Sequence, residues 1–401
     1  MGNEVMSILS PRYFASRTRW DFTENKLSQA LARLRKRGKT ILDLTQSNPT
    51  DCDIEYPPGL LKVLADAQNL RYQPSAQGLL KARQAIAREY QKQGAKVNPQ
   101  DILLTASTSE AYSFVLRLLV NPGERVLFPS PSYPLLDHLA QINDVQVDRY
   151  ALRYDGSWYT DMKSVERAVT KDTRAMVVIH PNNPTGSYLK WEEWKKLKRI
   201  CKAHKLAIIS DEVFRDYSCA ADKNRIGTVA GDSEVLGFAF NGISKMLGLP
   251  QMKIAWICVG GPAGQRNEAL KRLEMIADTY LSVNTPAQHA LPHWLKFKKR
   301  MQRQILGRVL ANRRLLDSRD WSKHGCEVLS AEGGWYALLR VPSTRTEEEW
   351  ALRLLQNKGV LVHPGYFFDF ESQAYLVLSL LPKPGLFFQA VVAMQECIGE
   401  G

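Results

Sequence analysis

Short apolar runs alternate with amphipathic segments between about residues 100 and 260 of this chain. The short runs are typical of buried strands, and the segments between them repeat apolar residues at helical spacing. The predicted strands are Ile102–Ala106, Arg125–Pro129, Ala175–His180, Leu206–Ser210, Val235–Phe240 and Ile254–Val259, and the predicted helices are Glu110–Leu119, Leu135–Ile142 and Trp191–His204. This alternation predicts an α/β fold, with a mostly parallel sheet covered by helices on both faces.

The pattern changes from about Asn284 onward. A long basic amphipathic stretch is followed by shorter strand-like and helix-like runs, which predict a smaller α+β unit. These segments are Ala287–Arg319, Cys326–Leu329, Trp335–Val341, Glu347–Lys358 and Tyr375–Leu380. The N-terminal region is Arg-rich, contains a predicted helix at Lys26–Arg37 and is too short to be a domain. We therefore expect an N-terminal arm over residues 1–45 that packs on the small domain, a large domain over 46–285 and a small C-terminal α+β domain over 286–401.

Composition narrows the class of protein. The chain has 401 residues, of which 44% are hydrophobic and 24% are charged, as in ordinary globular proteins. No window is apolar over the length that a transmembrane helix needs, and the first residues lack the pattern of a secretory signal. We therefore expect a cytoplasmic protein with no membrane partner.

The spacing of the cysteines and the distribution of charge argue against a metal site and against a nucleic-acid-binding surface. The six cysteines lie far apart without metal-type spacing, so we expect reduced thiols and no metal site. The formal net charge is +13. The basic residues concentrate in Lys190–Lys205 and Lys296–Arg314, which also carry core-facing apolar residues and no nucleic-acid-binding motif. Solvated helix faces therefore explain the charge better than a nucleic-acid partner does.

Three polar residues follow predicted strands in the order Asn183, Asp211 and Lys245. In an open parallel sheet the ligand binds beyond the carboxyl ends of the strands, so these side chains are expected to meet. An amide, a carboxylate and an amine are what a pyridoxal phosphate ring needs, at its phenolic oxygen, its ring nitrogen and its aldehyde carbon. Taken singly, the three have ordinary explanations as a turn asparagine, a helix-capping aspartate and a surface lysine.

Two further segments follow predicted strands at the same edge. Ser107, Thr108 and Ser109 open a helix, where free backbone N–H groups and hydroxyls form a phosphate cradle. An ordinary N-cap with Glu110 as the capping-box partner explains these residues equally well. Tyr133 follows the next strand, where its ring could stack on a cofactor or fill the core.

Together these residues resemble the class I and II aminotransferases, a family of pyridoxal-phosphate enzymes of fold type I. The resemblance covers about residues 40 to 385 and implies a large domain with a mostly parallel sheet of the seven-stranded type. It implies that Lys245 forms a Schiff base with the cofactor. It further implies that Asp211 contacts the pyridine nitrogen and that Asn183 contacts the phenolic oxygen.

The resemblance implies the remaining cofactor contacts as well. Tyr133 is expected to stack on the ring. Around the phosphate the family pattern implies Ser107, Thr108, Ser109 and Lys253. Tyr72 resembles the family tyrosine that reaches the phosphate of the neighbouring subunit, although this segment carries one extra residue before Gly78. A homodimer with shared active sites is therefore expected.

The chain departs from the family pattern at four positions. Phe214 stands where the family has a tyrosine, so one hydrogen bond to the phenolic oxygen is lost unless Tyr217 supplies it. Lys253 replaces a phosphate-binding arginine and keeps its charge without its bidentate fork. Ser47 replaces a glycine beside the substrate carboxylate. Val377 replaces the arginine that holds this carboxylate.

We therefore expect an aminotransferase that moves an amino group between an amino acid and a 2-oxo acid. The loss of the arginine leaves open whether another cation, with Arg17, Arg19 and Arg340 as candidates, binds the carboxylate or whether the substrate is held differently. A β-lyase or a decarboxylase of the same fold is an alternative, as is a pyridoxal-phosphate-binding protein without catalysis. The sequence does not indicate the amino donor, the acceptor or the pathway.

Overall fold

The computed structural model describes residues 13–371 and 374–400, so residues 1–12 of the expected N-terminal arm lie outside the described part. The strands in chain order are β1 (Leu42–Asp43), β2 (Ile102–Thr105), β3 (Arg125–Ser130), β4 (Gln146–Tyr154), β5 (Trp158–Thr160), β6 (Thr173–Ile179), β7 (Ala207–Asp211), β8 (Gly237–Gly242), β9 (Ala255–Gly260), β10 (Glu327–Val328), β11 (Tyr336–Arg340), β12 (Val360–Leu361), β13 (His363–Pro364) and β14 (Tyr375–Ser379). The α-helices are α1 (Lys26–Lys36), α2 (Leu80–Lys92), α3 (Thr108–Leu119), α4 (Leu135–Ile142), α5 (Met162–Ala168), α6 (Trp191–His204), α7 (Ile243–Met246), α8 (Ala263–Tyr280), α9 (Thr285–Trp294), α10 (Lys298–Asp317), α11 (Glu347–Lys358) and α12 (Pro384–Gly399).

A sheet of eight strands forms the centre of the larger unit, in the order β2-β9-β8-β7-β6-β3-β4-β5. Neighbouring strands from β8 to β4 are parallel, whereas β9 runs antiparallel to both β2 and β8. All six predicted strands are present, each within two residues of its predicted ends. The prediction of an α/β fold with a mostly parallel sheet is confirmed.

Helices cover both faces of this sheet because successive residues of a strand point to opposite sides. On one face, Leu103 of β2 and Ile209 of β7 join a core with apolar residues of α3, α4 and α8. On the other face, Leu104 packs with α2 and α9, and Ile208 packs with α5 and α6. The site-bearing strands are therefore buried on both faces and held rigidly.

The sequence pattern does not predict strand β4 or the short strand β5. They form an antiparallel hairpin at one edge of the sheet. Most residues of β4 are partly or fully exposed, so the strand lacks the continuous apolar run that marks a buried strand. Its edge position explains why its pattern is polar.

The smaller unit contains the antiparallel sheet β10-β11-β14-β13. Its core is formed with α10, α11 and α12, and it also includes Leu27 of α1 and Leu44 after β1. The segment before α1 makes different contacts: Trp20 donates to Gln141 of α4 at 2.7 Å, and Arg17 pairs with Asp144. The chain ahead of the large sheet thus contacts both units.

The basic stretch predicted at Ala287–Arg319 is divided into two helices. α9 ends at Trp294, a 3-10 turn follows at Leu295–Phe297, and α10 begins at Lys298. Pro292 lies in the last turn of α9, where it removes a backbone donor and disfavours continuation of a straight helix.

Some kinds of feature are absent from the described residues. No helix there is both long enough and apolar enough to cross a membrane. The same residues contain no group of three or more His, Cys, Asp or Glu side chains that could hold a metal ion. All six cysteines are unpaired.

Candidate active site

The predicted site residues meet at one edge of the large sheet. Asp211 is the last residue of β7, while Asn183 follows β6 and Lys245 follows β8 by a few residues. Because β6, β7 and β8 are parallel neighbours, their carboxyl ends lie side by side. The three side chains therefore project from adjacent strands, as the sequence predicted.

The other candidate residues reach the same edge. Tyr133 follows β3, and Ser107 follows β2, which points in the same direction as β8 because β9 runs antiparallel to both. Lys253 precedes β9, so the reversed strand direction brings it to this edge too. It is exposed and has a left-handed backbone, with φ of 49°.

Aromatic rings surround the amine of Lys245. Its Nζ lies 5.3 Å from the centre of the Trp335 ring and 5.7 Å from that of Phe214. Burial lowers the pKa of Lys245, and the nearby charge of Asp211 opposes this effect. Burial thus favours the neutral amine, the form that can act as a nucleophile or a base.

Tyr217 does not compensate for Phe214. Its hydroxyl donates a hydrogen bond of 2.5 Å to the backbone carbonyl of Lys245, and its ring packs against Trp335. The hydroxyl is therefore used to hold the backbone at Lys245. The hydrogen bond that the family tyrosine supplies has no replacement from this residue.

Asp211 is enclosed by hydrogen-bond donors. Its Oδ1 accepts from the backbone N–H of Val213 at 3.1 Å, and its Oδ2 accepts from the hydroxyl of Tyr112 at 3.2 Å. Burial raises the pKa of Asp211 to about 6, whereas both hydrogen bonds and the charge of Lys245 lower it. The two hydrogen bonds and the lysine charge therefore favour the ionised carboxylate, the form that attracts a cationic partner.

The N-terminus of α3 has the N-cap that its sequence predicts. The Oγ of Ser107 accepts from the backbone N–H of Glu110 at 3.2 Å, as an N-cap does. The carboxylate of Glu110 in turn accepts from Ala106 N and from Ser282 Oγ, each at 2.7 Å. The Ser107 hydroxyl proton and the first N–H groups of the helix are still available for an anion.

The residues present fit pyridoxal phosphate. Asn183 is buried, and its side-chain oxygen, a hydrogen-bond acceptor, has no partner, while the N–H groups of the same amide are the donors that a phenolic oxygen needs. A buried amide without a partner is costly unless a ligand completes it. With the Asp211 carboxylate, the Lys245 amine and the helix N-terminus, the edge offers the donor set that this cofactor requires.

Tyr72 lies on the surface, with 73% of its area exposed. It lines a small cavity together with Leu281 and Ser282, next to the N-terminus of α3. The turn after it depends on Gly78, whose φ is 87° and where an added Cβ would lie 2.4 Å from the side chain of Leu104.

Val377 lies in an apolar environment. It is fully buried in β14, opposite Leu338 of β11 and His363 of β13. Its cluster also contains Trp158 and Phe368. The place where the family pattern has an arginine is therefore filled by apolar packing.

The arginines considered as replacements are exposed. Arg17 pairs with Asp144, and Arg340 pairs with Glu327 across β10 and β11. Arg19 is also exposed. Two of these three cations already pair with a carboxylate, which leaves Arg19, other groups or a rearrangement to bind a substrate carboxylate.

Tyr112 is the site residue that the sequence analysis missed. It lies one turn into α3, where a tyrosine among apolar residues is typical of core filling. The available signal was its spacing: Tyr112 follows Thr108 by four residues and so lies on the same helix face. That spacing places the Tyr112 hydroxyl about one helical turn after the residues that were predicted to bind the phosphate.

A buried ion pair anchors the loop that carries Asp211. Glu212 is fully buried and accepts hydrogen bonds from Thr228 Oγ1 at 2.6 Å, Val229 N at 2.8 Å and Arg215 Nη1 at 3.1 Å. Breaking a buried pair of this kind leaves an unpaired charge in the core.

We expect Glu212→Gln to lower the free energy of unfolding by about 3–5 kcal/mol, because the Arg215 charge then lacks a partner in the core. Chemical denaturation measures this loss. Glu268→Gln is the matched control, since it removes an exposed ion pair with Arg272 and should leave stability unchanged. Equal stability of the two variants would contradict the anchoring role.

Comparisons with known proteins agree with this geometry. The chain matches the family "Aminotransferase class I and II" over residues 39–380. Similar proteins include an alanine aminotransferase of Mycobacterium tuberculosis, 29% identical over 367 residues that cover 88% of this chain and 84% of that protein. An S-alkyl-thiohydroximate lyase of Arabidopsis thaliana is 31% identical over 264 residues, which cover 63% of this chain and 56% of that protein.

A solved alanine aminotransferase from Pyrococcus furiosus has the same fold. It is 23% identical, has a TM-score of 0.86, and the match covers 97% of this chain and 100% of that one. The family match spans most of the chain, including every strand of the large sheet. The chain therefore belongs to the class I and II aminotransferases, and it is a pyridoxal-phosphate-dependent enzyme that moves an amino group between an amino acid and a 2-oxo acid.

Proposed function

We propose that Lys245, Asp211 and Asn183 are the residues that hold and use the reactive part of the cofactor. The observation that carries this proposal is their convergence from three adjacent parallel strands. In this assignment Asp211 pairs with the pyridine nitrogen, Asn183 donates its amide to the phenolic oxygen and Tyr133 stacks on the ring. Around the phosphate we place Ser107, Thr108, Ser109, Lys253 and the partner-facing Tyr72.

Bound pyridoxal phosphate supplies an aldehyde that takes up the amino group and a ring that accepts electrons from the substrate carbon. The protein supplies positioning and proton transfer. In its neutral form Lys245 Nζ can take the proton from the α-carbon of the substrate and return it, as a general base and acid. The carboxylate of Asp211 stabilises positive charge on the ring nitrogen, and the aromatic walls Phe214 and Trp335 exclude water from the amine.

We propose a homodimer in which each active site uses Tyr72 of the neighbouring subunit. Large apolar side chains are exposed in the segment before this residue and in α8, whose Ala277 lines the same cavity as Tyr72: Leu70 by 91%, Met275 by 71% and Tyr280 by 51%. An exposed apolar surface of this kind is typical of a protein interface. The neighbouring N-terminus of α3 brings this surface next to the proposed phosphate site.

We expect Tyr72→Phe to weaken retention of pyridoxal phosphate by about 10- to 100-fold, because a hydrogen bond to a charged group contributes about 1.5–3 kcal/mol. Equilibrium dialysis of the cofactor measures the change. Tyr159→Phe removes another exposed tyrosine hydroxyl and serves as the control. A holoenzyme that sediments as a monomer would contradict the shared site.

We propose boundaries near residues 45 and 285 for the large domain, with the arm and the small domain on either side. The end of the large sheet at Gly260 supports a second boundary after this strand, while α9, which begins at Thr285, still packs on the large sheet with Leu104. The packing of α1 on α11 supports an arm that belongs with the small domain. A cytoplasmic location is also proposed, because all six cysteines are unpaired.

We propose that the substrates are an α-amino acid and a 2-oxo acid whose carboxylates are held by groups other than residue 377. Alanine is the first donor to test, since this chain is similar to an alanine aminotransferase over most of its length. The experiment mixes the holoenzyme with single amino acids and follows its absorbance spectrum and the released products. A stoichiometric 2-oxo acid, with the cofactor left in the amino form, supports transamination by that donor.

A β-lyase activity beside transamination is the second candidate, because Val377 removes the family's cation for the substrate carboxylate and a lyase is among the similar proteins. The same experiment separates the two. Release of ammonia with each turnover, without conversion of the cofactor to its amino form, would favour the lyase. A holoenzyme whose spectrum no amino acid changes would contradict both candidates.

A further inference from the structure

The carboxylate of Asp211 is held from two sides. Val213 N donates to Oδ1 from the same loop, and Tyr112 donates to Oδ2 from α3, 99 residues away in the chain. A carboxylate oxygen accepts about two hydrogen bonds, so each oxygen keeps one acceptor position for a ligand. The two protein donors therefore fix the orientation of the carboxylate that a ligand meets.

Tyr112 is itself rigid. Only 2% of its area is exposed, and its ring packs edge-on against Phe240 of the neighbouring strand, with centres 4.9 Å apart. The same helix begins with the phosphate cradle at Ser107. Tyr112 thus couples the position of the carboxylate to the position of the cradle through one turn of helix.

Four groups act on the ionisation of Asp211. Glu212, next in the chain, opposes the negative charge, whereas Lys245, the Tyr112 hydroxyl and the Val213 N–H favour it. The Asp211 charge in turn raises the pKa of Tyr133. Of these groups, Tyr112 is the neutral side chain that donates a hydrogen bond directly to Asp211.

We propose that Tyr112 is a positioning residue, which keeps the Asp211 carboxylate ionised and turned toward the pyridine nitrogen of bound pyridoxal phosphate. The inference rests on the proposed role of Asp211. A hydroxyl that donates to a carboxylate stabilises its charged form, and this matters here because burial works against that form. Loss of the Tyr112 hydroxyl therefore favours the protonated form of Asp211 and removes one contact that orients its carboxylate.

The test compares Tyr112→Phe with Tyr150→Phe. The control removes a buried hydroxyl that donates to the backbone carbonyl of Val177 in the same sheet rather than to a carboxylate. Both variants keep the aromatic ring, so packing is preserved. Thermal unfolding of the cofactor-free proteins checks that both fold.

We expect Tyr112→Phe to weaken binding of pyridoxal phosphate to the cofactor-free protein by about tenfold, the effect of a hydrogen bond to a charged group. The affinity should fall as pH drops through the pKa of Asp211, and in Tyr112→Phe this fall should begin at higher pH. Tyr150→Phe should match the wild type in both measurements. Unchanged affinity and pH dependence in Tyr112→Phe would overturn the proposal.

Asp211→Asn separates failure of this inference from failure of the proposed site. If Asp211→Asn binds the cofactor like the wild type, the role of Asp211 itself is wrong. If Asp211→Asn loses affinity while Tyr112→Phe does not, only the role of Tyr112 is wrong. In the double variant, Tyr112→Phe should add no further loss, because its effect acts through the carboxylate.

Discussion

Replacing Lys245 by alanine is expected to reduce transamination by about 10⁴-fold or more. The variant loses the only group in our assignment that transfers the proton at the substrate α-carbon, and general acid–base catalysis alone contributes up to about 10⁴-fold. Burial lowers the pKa of this lysine, and this favours the neutral amine that can accept the proton. Steady-state assays with the donor found in the spectral experiment measure the loss.

Borohydride reduction tests independently whether Lys245 carries the cofactor. Reduction should fix pyridoxal phosphate covalently to the wild-type chain and not to Lys245→Ala. Lys198→Met is the matched control, since Lys198 is a largely buried lysine that pairs with Asp232 and Glu234 outside the site. A cofactor that is still fixed to Lys245→Ala would show that another lysine carries it.

Asp211→Asn is expected to lower the transamination rate by about 10³-fold. The substitution keeps the shape of the side chain and removes the charge that balances a protonated ring nitrogen. Loss of one preorganised electrostatic contact in an enclosed site costs about 10²–10³ in rate. Single-turnover kinetics with saturating cofactor measure the chemical step apart from weaker cofactor binding.

The control for this second variant is Asp232→Asn. Asp232 is a partly buried aspartate at the other end of the sheet, where it pairs with Lys198 at 3.1 Å. Its replacement should leave the chemical step unchanged. Near-normal turnover in Asp211→Asn would mean that a different group keeps the ring nitrogen protonated.

Much of the fold could be predicted because its strands are buried on both faces. Such strands appear as continuous apolar runs, and all six of them were located. The partly exposed β4 lacks this signal and was missed. Two helices, α4 and α6, begin and end where the amphipathic spacing predicted.

The meeting of Asn183, Asp211 and Lys245 could also be predicted. Each follows a strand, and parallel strands bring their carboxyl ends together whatever the details of packing. The interactions of individual hydroxyls could not be predicted. Tyr217 was considered as a replacement for the family tyrosine, yet its hydroxyl holds the Lys245 carbonyl.

The sequence by itself thus determined the positions of the buried strands along the chain, the edge at which the site forms and the chemical types of its main residues. These follow from local periodicity and chain direction, which are properties of neighbouring residues. Only the tertiary structure decided that Tyr112 donates to Asp211, that Phe214 and Trp335 enclose Lys245, and that Val377 lies in apolar packing. Such contacts depend on the rotation of helices and on rotamers, which are set by close packing between segments far apart in the chain.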